Sequence, residues 1–379
     1  MSKFIDGLVK KFDSENIIKF SKKDSFSSMK SWVHTGSPTL DFNLGTFGFP
    51  TGVIEIAGAS RGGKTTLALQ AMASFQKENG ENGICVILSS ENRDNKDYAR
   101  RIGVKVDDVL IVKITFVEEM FMIIKQIVDE INKAFSEAKK KEKPKFFFMW
   151  DSLGATLSLN ERDTMEENTA MLEKKMNKGE QLDELKHEKI GAFAKEAKKF
   201  AKYILSLMYD NIIHFIILNH TYDTITGMGV STKKSTGGAW IEYLPTQRLQ
   251  LSTKGMERIG DEEVAQISKV KVVKNDFGSR KATEIRILLG EGVILSQDDI
   301  DYALEAGILK LEGKKKIVFL NGKLSWSSPR EFFNLYHERN KLLKVLHKKI
   351  QLSMQKDLIE LKAKYNEQPD AEDDDEEED

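Results

Sequence analysis

One cysteine in 379 residues cannot form an internal disulfide. The chain must therefore be held by its core, which fits a reducing compartment such as the cytoplasm. That residue, Cys85, lies in the apolar stretch "GICVILSS", where a small buried side chain is expected. Long hydrophobic runs are also lacking: no stretch approaches the ~18 apolar residues of a membrane span. The first twenty residues, "MSKFIDGLVKKFDSENIIKF", contain no continuous apolar segment, so no secretory signal is expected. No internal repeat is visible. Net charge is nearly absent too, at −1, but this total conceals two opposed parts. The last ten residues, "DAEDDDEEED", hold nine acids and no base, and setting them aside leaves +8 on residues 1–369. A mildly basic body points to a polyanionic partner, while an acidic end can also serve solubility alone.

What is present is a globular composition, 40% hydrophobic and 31% charged, with length for one large core and a smaller domain. Apolar residues at Phe4, Ile5, Leu8, Val9 and Phe12 have helical spacing, and "NIIKF" follows as a short extended piece. A unit this small must pack on something else. The segments "GVIEIAG", "ICVILSS", "KFFFMWDS" and "IIHFIILNH" read as strands. They alternate with the helical stretches "KTTLALQAMASFQKE", "VEEMFMIIKQIVDEINKAFSEAKKK" and "IGAFAKEAKKFAKYILSLMYDN". This alternation predicts an α/β fold with a mostly parallel sheet wound by helices. "RLQLST", "SKVKVVKN" and "TEIRILLGEGV" continue as strands, and from about Leu295 the pattern changes to that of a small α+β domain with a long final helix. The expected organisation is an arm over 1–30, a core over 31–294, a small domain over 295–366 and an acidic tail over 367–379. Residues 158–188 and 222–238 fit neither pattern and are expected to be long loops, either functional or disordered.

"GASRGGKTT" (58–66) meets the pattern G-x-x-x-x-G-K-[ST] with Gly58, Gly63, Lys64 and Thr65, between a predicted strand and a predicted helix. In such a loop the backbone amides from Gly58 through Ala59, Ser60, Arg61, Gly62 and Gly63 wrap the phosphates of ATP, continuing into Thr66. Lys64 neutralises the outer phosphate oxygens and Thr65 ligates Mg²⁺. A second Mg²⁺ ligand is expected at a strand end, where Asp151 closes "FFFMWD". Glu91, in "ILSSEN", ends the strand after the loop helix, where a carboxylate can orient water or take its proton. Read by itself, Glu91 is also compatible with a surface glutamate.

Taken together, several ordered segments resemble the RecA family of recombinases: "HTGSPTLDFNLGTFGFPTGVIEIAGASRGGKTTLALQ", "SSENRDNKDYARRIGV", "MWDSLGATL", "STGGAWIEYLPTQRLQL" and "KVKVVKNDFGSRKATEIRILLGEGV". The resemblance extends over nearly the whole chain. "LNHT", the abundance of lysine and the acidic end are closest in character to the phage-encoded, UvsX-like branch. The resemblance implies a RecA-type P-loop core, with Glu91 as water activator, Tyr98 stacking on adenine and Asn95 near the base edge. It implies that 158–188 and 222–238 face DNA, the second through Lys233, Lys234, Thr236, Gly237 and Gly238. It places "NIIKF" where the family adds a strand to the adjacent subunit. Lys274 matches a family lysine that reaches a neighbour's nucleotide, although the position two further on is Asp276 rather than a second lysine. His220 stands where the family carries a glutamine that senses the γ-phosphate, so a pH-dependent response to DNA is expected.

The implied activity is a DNA-dependent ATPase that forms helical filaments on single-stranded DNA and exchanges strands with a homologous duplex, using ATP and Mg²⁺. Self-association is thereby implied, with a single-strand-binding protein and a loading mediator as further partners and no membrane. The setting would be the bacterial cytoplasm, near the nucleoid, or the host's if phage-encoded. An accessory ATPase, a ring helicase and a small-metabolite kinase remain the alternatives.

Overall fold

The strand "GVIEIAG" occupies the middle of a nine-stranded sheet, and its last residue opens the glycine loop. The computed structural model describes residues 31–91, 95–178, 192–225, 231–338 and 340–366. The arm "NIIKF", the acidic tail and parts of both expected loops (179–188 and 226–230) lie outside the described residues.

The described chain begins with β1 (Trp32–Val33), which pairs antiparallel with β2 (Phe49–Pro50) around α1 (Pro38–Leu44). Ser37 caps this helix through a bond from the Leu40 amide, and Pro38 supplies a fixed φ at its start. Next come β3 (Gly52–Gly58), α2 (Lys64–Asn79), β4 (Gly83–Ser89), α3 (Lys96–Ile102), β5 (Val109–Lys113), α4 (Val117–Glu137) and β6 (Lys145–Asp151). They are followed by α5 (Leu159–Lys178), α6 (Ala192–Asp210), β7 (Ile212–Asn219), the hairpin β8 (Thr221–Ile225) and β9 (Ser231–Ser235), and α7 (Trp240–Tyr243). The long pair β10 (Gln247–Ile259) and β11 (Glu262–Asn275) then leads to β12 (Thr283–Leu288) and β13 (Gly292–Ile294).

The sheet runs in the order β13-β12-β11-β10-β3-β7-β6-β4-β5. From β10 to β5 every neighbouring pair is parallel, while β11, β12 and β13 add an antiparallel flank. Alternation along the strands divides the apolar residues between two faces. Ile54, Ile56, Phe147, Ile216 and Leu218 pack with Leu67, Met72 and Phe75 of α2. Val53, Phe146, Phe148, Phe215 and Ile217 pack with Met120 and Ile124 of α4 and with Phe200 and Ile204 of α6. Cys85 is buried on β4, as its apolar surroundings predict.

A third apolar cluster, centred on Trp326, Phe332 and Leu346, joins α8 (Gln297–Glu305), the small sheet β14 (Lys310–Glu312), β15 (Lys316–Phe319) and β16 (Leu324–Trp326), α9 (Pro329–Glu338) and α10 (Asn340–Asn366). The final helix reaches back to the segment around α1: His347 Nε2 lies 3.1 Å from the Gly36 carbonyl, and Lys362 donates to the Gly45 carbonyl at 2.6 Å.

The two expected loops differ from the described structure. Residues 159–178 form α5 despite their charge, because Glu, Met, Lys, Ala and Leu are good helix formers and no glycine or proline interrupts them until the end. Ser158 and Glu161 start the helix as a capping box: the Ser158 amide donates to Glu161 Oε2 at 2.6 Å, and the Glu161 amide donates to Ser158 Oγ at 3.3 Å. In the second region, Thr221–Ile225 and Ser231–Ser235 pair as strands, favoured by their β-branched residues.

Candidate nucleotide site and the adjoining hairpin

The carboxyl ends of β3, β4, β6 and β7 lie along one edge of the parallel sheet, the edge at which open α/β sheets bind ligands. There β3 turns through the glycine loop into α2. Close approach requires glycine at 58, where a Cβ would lie 2.4 Å from the Leu251 carbonyl oxygen; at Gly63 a Cβ would meet the movable end of a side chain, Ile287 Cδ1, at 2.4 Å. Gly63 also has a left-handed φ of 92° and stands at the N-cap of α2 with no side-chain cap. The helix therefore presents backbone N–H groups and the positive end of its dipole to the loop, as anion sites do.

Lys64, the first helical residue, is buried, and its Nζ donates to the carbonyls of Gly58 and Ala59, each at 2.9 Å. Burial lowers the ammonium pKa from its ordinary value, and the nearby carboxylates of Asp151 and Glu91 act against that shift. Thr65 Oγ1 lies 3.4 Å from Asp151 Oδ2, so the predicted metal pair meets at the junction of α2 and β6. A hydroxyl and a carboxylate are hard oxygen donors suited to Mg²⁺, which commonly takes few protein ligands and fills its remaining positions with phosphate and water. Among the described residues no cluster of three or more His, Cys, Asp and Glu could hold a metal by itself. The donor set thus fits a metal carried with a triphosphate.

Glu91 sits beside this pair. Its Oε1 accepts from Ser152 Oγ at 2.5 Å and lies 3.3 Å from His220 Nε2. Ser90 ties the two strand ends together, donating to the Ser152 carbonyl at 2.8 Å and accepting from the Ser152 amide at 3.0 Å. Sequence reasoning missed Ser90 and Ser152, although both hydroxyls stand next to the acids it selected.

Tyr98 lies in a cleft of about 340 Å³ with Arg61, Gly62, Gly63, Lys64, Thr65 and Thr66. Its hydroxyl is 2.7 Å from Thr66 Oγ1, and burial raises the phenol pKa while the Thr66 bond opposes the rise. Asn95 caps α3, its Oδ1 accepting from the Tyr98 amide at 2.9 Å, so it sets the turn that carries Tyr98. The opposite wall is formed by Gln266, Ile287, Leu289 and Gly290, which no motif had indicated. Gln266 Nε2 donates to the Arg61 carbonyl at 3.0 Å.

His220 follows β7 directly and opens the hairpin. The Thr236 amide donates to the His220 carbonyl at 3.2 Å, closing the hairpin's foot. Gly237 and Gly238 turn the chain into α7 with φ values of 112° and 83°. Lys234 is exposed and pairs in register with Tyr222, itself half exposed, while Lys233 pairs in register with Asp223. Lys274 lies apart from this cluster, donating to the Tyr243 carbonyl at 2.8 Å with Asp276 Oδ2 at 3.4 Å.

A strand, a glycine loop over its own lysine, and a hydroxyl–carboxylate pair at the adjoining strand end together define the P-loop class of nucleotide-binding folds. Comparison with known proteins narrows this class. The family model described as RecA N-terminal domain matches residues 1–132. Protein RecA of Chlorobium limicola is 29% identical over 311 residues, covering 82% of this chain and 79% of that relative. Protein RecA of Delftia acidovorans is 29% identical over 306 residues, covering 80% of this chain and 74% of the relative. Protein RecA of Syntrophus aciditrophicus is 27% identical over 311 residues, at 82% and 80%. Over about four fifths of its length the chain is thus similar to RecA proteins. No helix among the described residues is long and apolar enough to cross a membrane.

Proposed function

We propose that this chain is a DNA-dependent ATPase that assembles into helical filaments on single-stranded DNA and exchanges strands with a homologous duplex. The observation that carries this reading is the contact between His220, at the foot of the β8–β9 hairpin, and Glu91, beside the phosphate loop. A side chain on the hairpin thus touches the group best placed to act on water.

In this reading ATP lies along the cleft, its phosphates held by the loop amides and Lys64, with Tyr98 beside the base. Thr65 and Asp151 would hold Mg²⁺, which neutralises phosphate charge when bound. Glu91 accepts a proton from the attacking water, and Ser152 and His220 fix its carboxylate. Single-stranded DNA lies against Lys233, Lys234, Thr236, Gly237 and Gly238, whose cations, hydroxyls and amides suit phosphate contacts without base choice. Lys274 serves a neighbour's nucleotide, and residues 1–30 link adjacent subunits. The phage-encoded, UvsX-like branch, a cytoplasmic setting, and a single-strand-binding protein and loading mediator as partners belong to the same reading.

The test is ATP hydrolysis with and without single-stranded DNA, using Lys64→Ala as the blank. Strong stimulation that depends on Lys64 is expected. Lys64-dependent hydrolysis indifferent to DNA would remove the mechanism and favour a small-metabolite kinase.

A further inference from the structure

Three carboxylates are buried among the described residues, Asp41, Glu55 and Asp299, and of these Glu55 alone lies on the central sheet. It stands in the otherwise apolar strand "GVIEIAG", three positions before the loop glycine Gly58. Such a site costs desolvation, which an apolar residue of similar size avoids. Its two oxygens are directed to two different elements. Oε2 accepts from Arg248 Nε at 2.6 Å, in register with Glu55 on β10, and Oε1 accepts from Asn219 Nδ2 at 2.8 Å, at the end of β7.

These partners hold both feet of the hairpin. Asn219 Nδ2 also donates to the Thr236 carbonyl at 2.8 Å, and Asn219 Oδ1 accepts from the His220 amide at 2.8 Å. Arg248 Nη2 reaches Ser235 Oγ at 3.4 Å. His220 in turn touches Glu91. One buried carboxylate thereby links the strand feeding the phosphate loop, the residue before His220 and the closing strand of the hairpin.

The geometry points to Glu55 as a positioning residue that couples occupancy of the phosphate loop to the posture of the 221–235 hairpin. A hydrogen-bonded, desolvated ion pair has few alternative arrangements, so a small displacement at the end of β3 is carried to Asn219 and Arg248 rather than absorbed. Soft apolar packing at the same place would fill space without fixing the azimuth of His220. The inference rests on the cleft being a triphosphate site, as proposed above, but not on the hairpin's ligand being DNA.

The experiment is amide hydrogen exchange over residues 221–236 without DNA, with and without Mg²⁺ and a non-hydrolysable ATP analogue. It compares the unsubstituted chain with Glu55→Gln, and nucleotide affinity is measured separately with a fluorescent analogue. In the unsubstituted chain the analogue should alter exchange in this segment severalfold. In Glu55→Gln that nucleotide-linked difference should collapse while the analogue still binds. A merely structural Glu55 would lower the melting temperature and leave the difference intact. Should Glu55→Gln fail to fold, Glu55→Met with Arg248→Met removes the buried charges together and keeps the volume; loss of the nucleotide-linked difference is again expected. The inference is overturned if a folded variant keeps the full difference, or if the analogue never alters the hairpin of the unsubstituted chain. A chain that shows the coupling but binds no DNA would overturn the recombinase reading and leave the role of Glu55 standing.

Discussion

His220 Nε2 and Ser152 Oγ meet at the same oxygen of Glu91, Oε1, at 3.3 Å and 2.5 Å. The carboxylate is thereby oriented from two strand ends, β6 and β7. Replacing Glu91 with glutamine keeps the shape and removes the proton acceptor. DNA-stimulated ATP hydrolysis should fall by roughly 10²–10⁴-fold, the usual loss for a general base, while nucleotide affinity changes little. Steady-state hydrolysis and fluorescent-nucleotide titration on one preparation check this.

At His220 the two substitutions should separate. His220→Gln retains a donor toward Glu91 and should keep most of the stimulation by DNA. His220→Ala removes the hairpin's contact with the site and should lower stimulation while leaving DNA-independent hydrolysis nearly unchanged. Equal stimulation in the alanine variant would show that this contact is not used.

Asp151→Asn should raise the Mg²⁺ concentration needed for half-maximal hydrolysis, because one of the two oxygen donors loses its charge. Titrating Mg²⁺ at fixed ATP measures the shift. An unchanged Mg²⁺ requirement would place the metal elsewhere.

Acid should destabilise the fold through buried imidazoles. His214 is fully buried, with Nδ1 at 3.0 Å from the Pro50 carbonyl, and burial pushes its pKa down to about 4. Burial also lowers the pKa of His347. A base held neutral in the native state binds its proton more readily when unfolded. The stability associated with His214 is therefore complete above the unfolded value near 6.5 and is lost as pH falls toward 4, by about 3 kcal/mol at most. Urea unfolding at several pH values should show the difference between the unsubstituted chain and His214→Asn narrowing across that window. A constant difference would exclude this contribution.

The nine acids of residues 370–379 are expected to compete with phosphate for the basic body. Removing residues 370–379 should strengthen DNA binding, most on duplex and at low salt, with the two affinities converging as salt screens the tail. Fluorescence anisotropy over a salt series is the measurement. Equal affinities at low salt would leave solubility as the tail's role.

The phosphate loop was legible because its chemistry is local: the glycines, Lys64 and Thr65 are contiguous and flanked by clear strand and helix patterns. Asp151 and Glu91 were legible as acids closing apolar strands, and the sheet places both beside the loop. The far wall of the cleft was not. Gln266 and Leu289 reach it only because β11 and β12 fold back along the flank of β10, a pairing that no short pattern encodes. The helix over 159–178 was hidden by its charge, since periodic apolar residues were the signal sought, although the serine and glutamate of its capping box were there to be read. Glu55 was visible as a lone acid in an apolar strand, but its meaning depends on Asn219 and Arg248, which lie 164 and 193 residues further along the chain.

The bonds of Lys64 to the carbonyls of Gly58 and Ala59 make nucleotide capture an exchange reaction. A triphosphate that takes this ammonium must displace two amide oxygens, so the gain is the difference between two sets of partners rather than the full strength of one. A multiply charged phosphate chain wins that competition through charge-assisted bonds, whereas weakly charged anions gain little. On the triphosphate reading proposed above, the loop would set a threshold of ligand charge, and selectivity over lesser anions would begin with a lysine that already has somewhere to go.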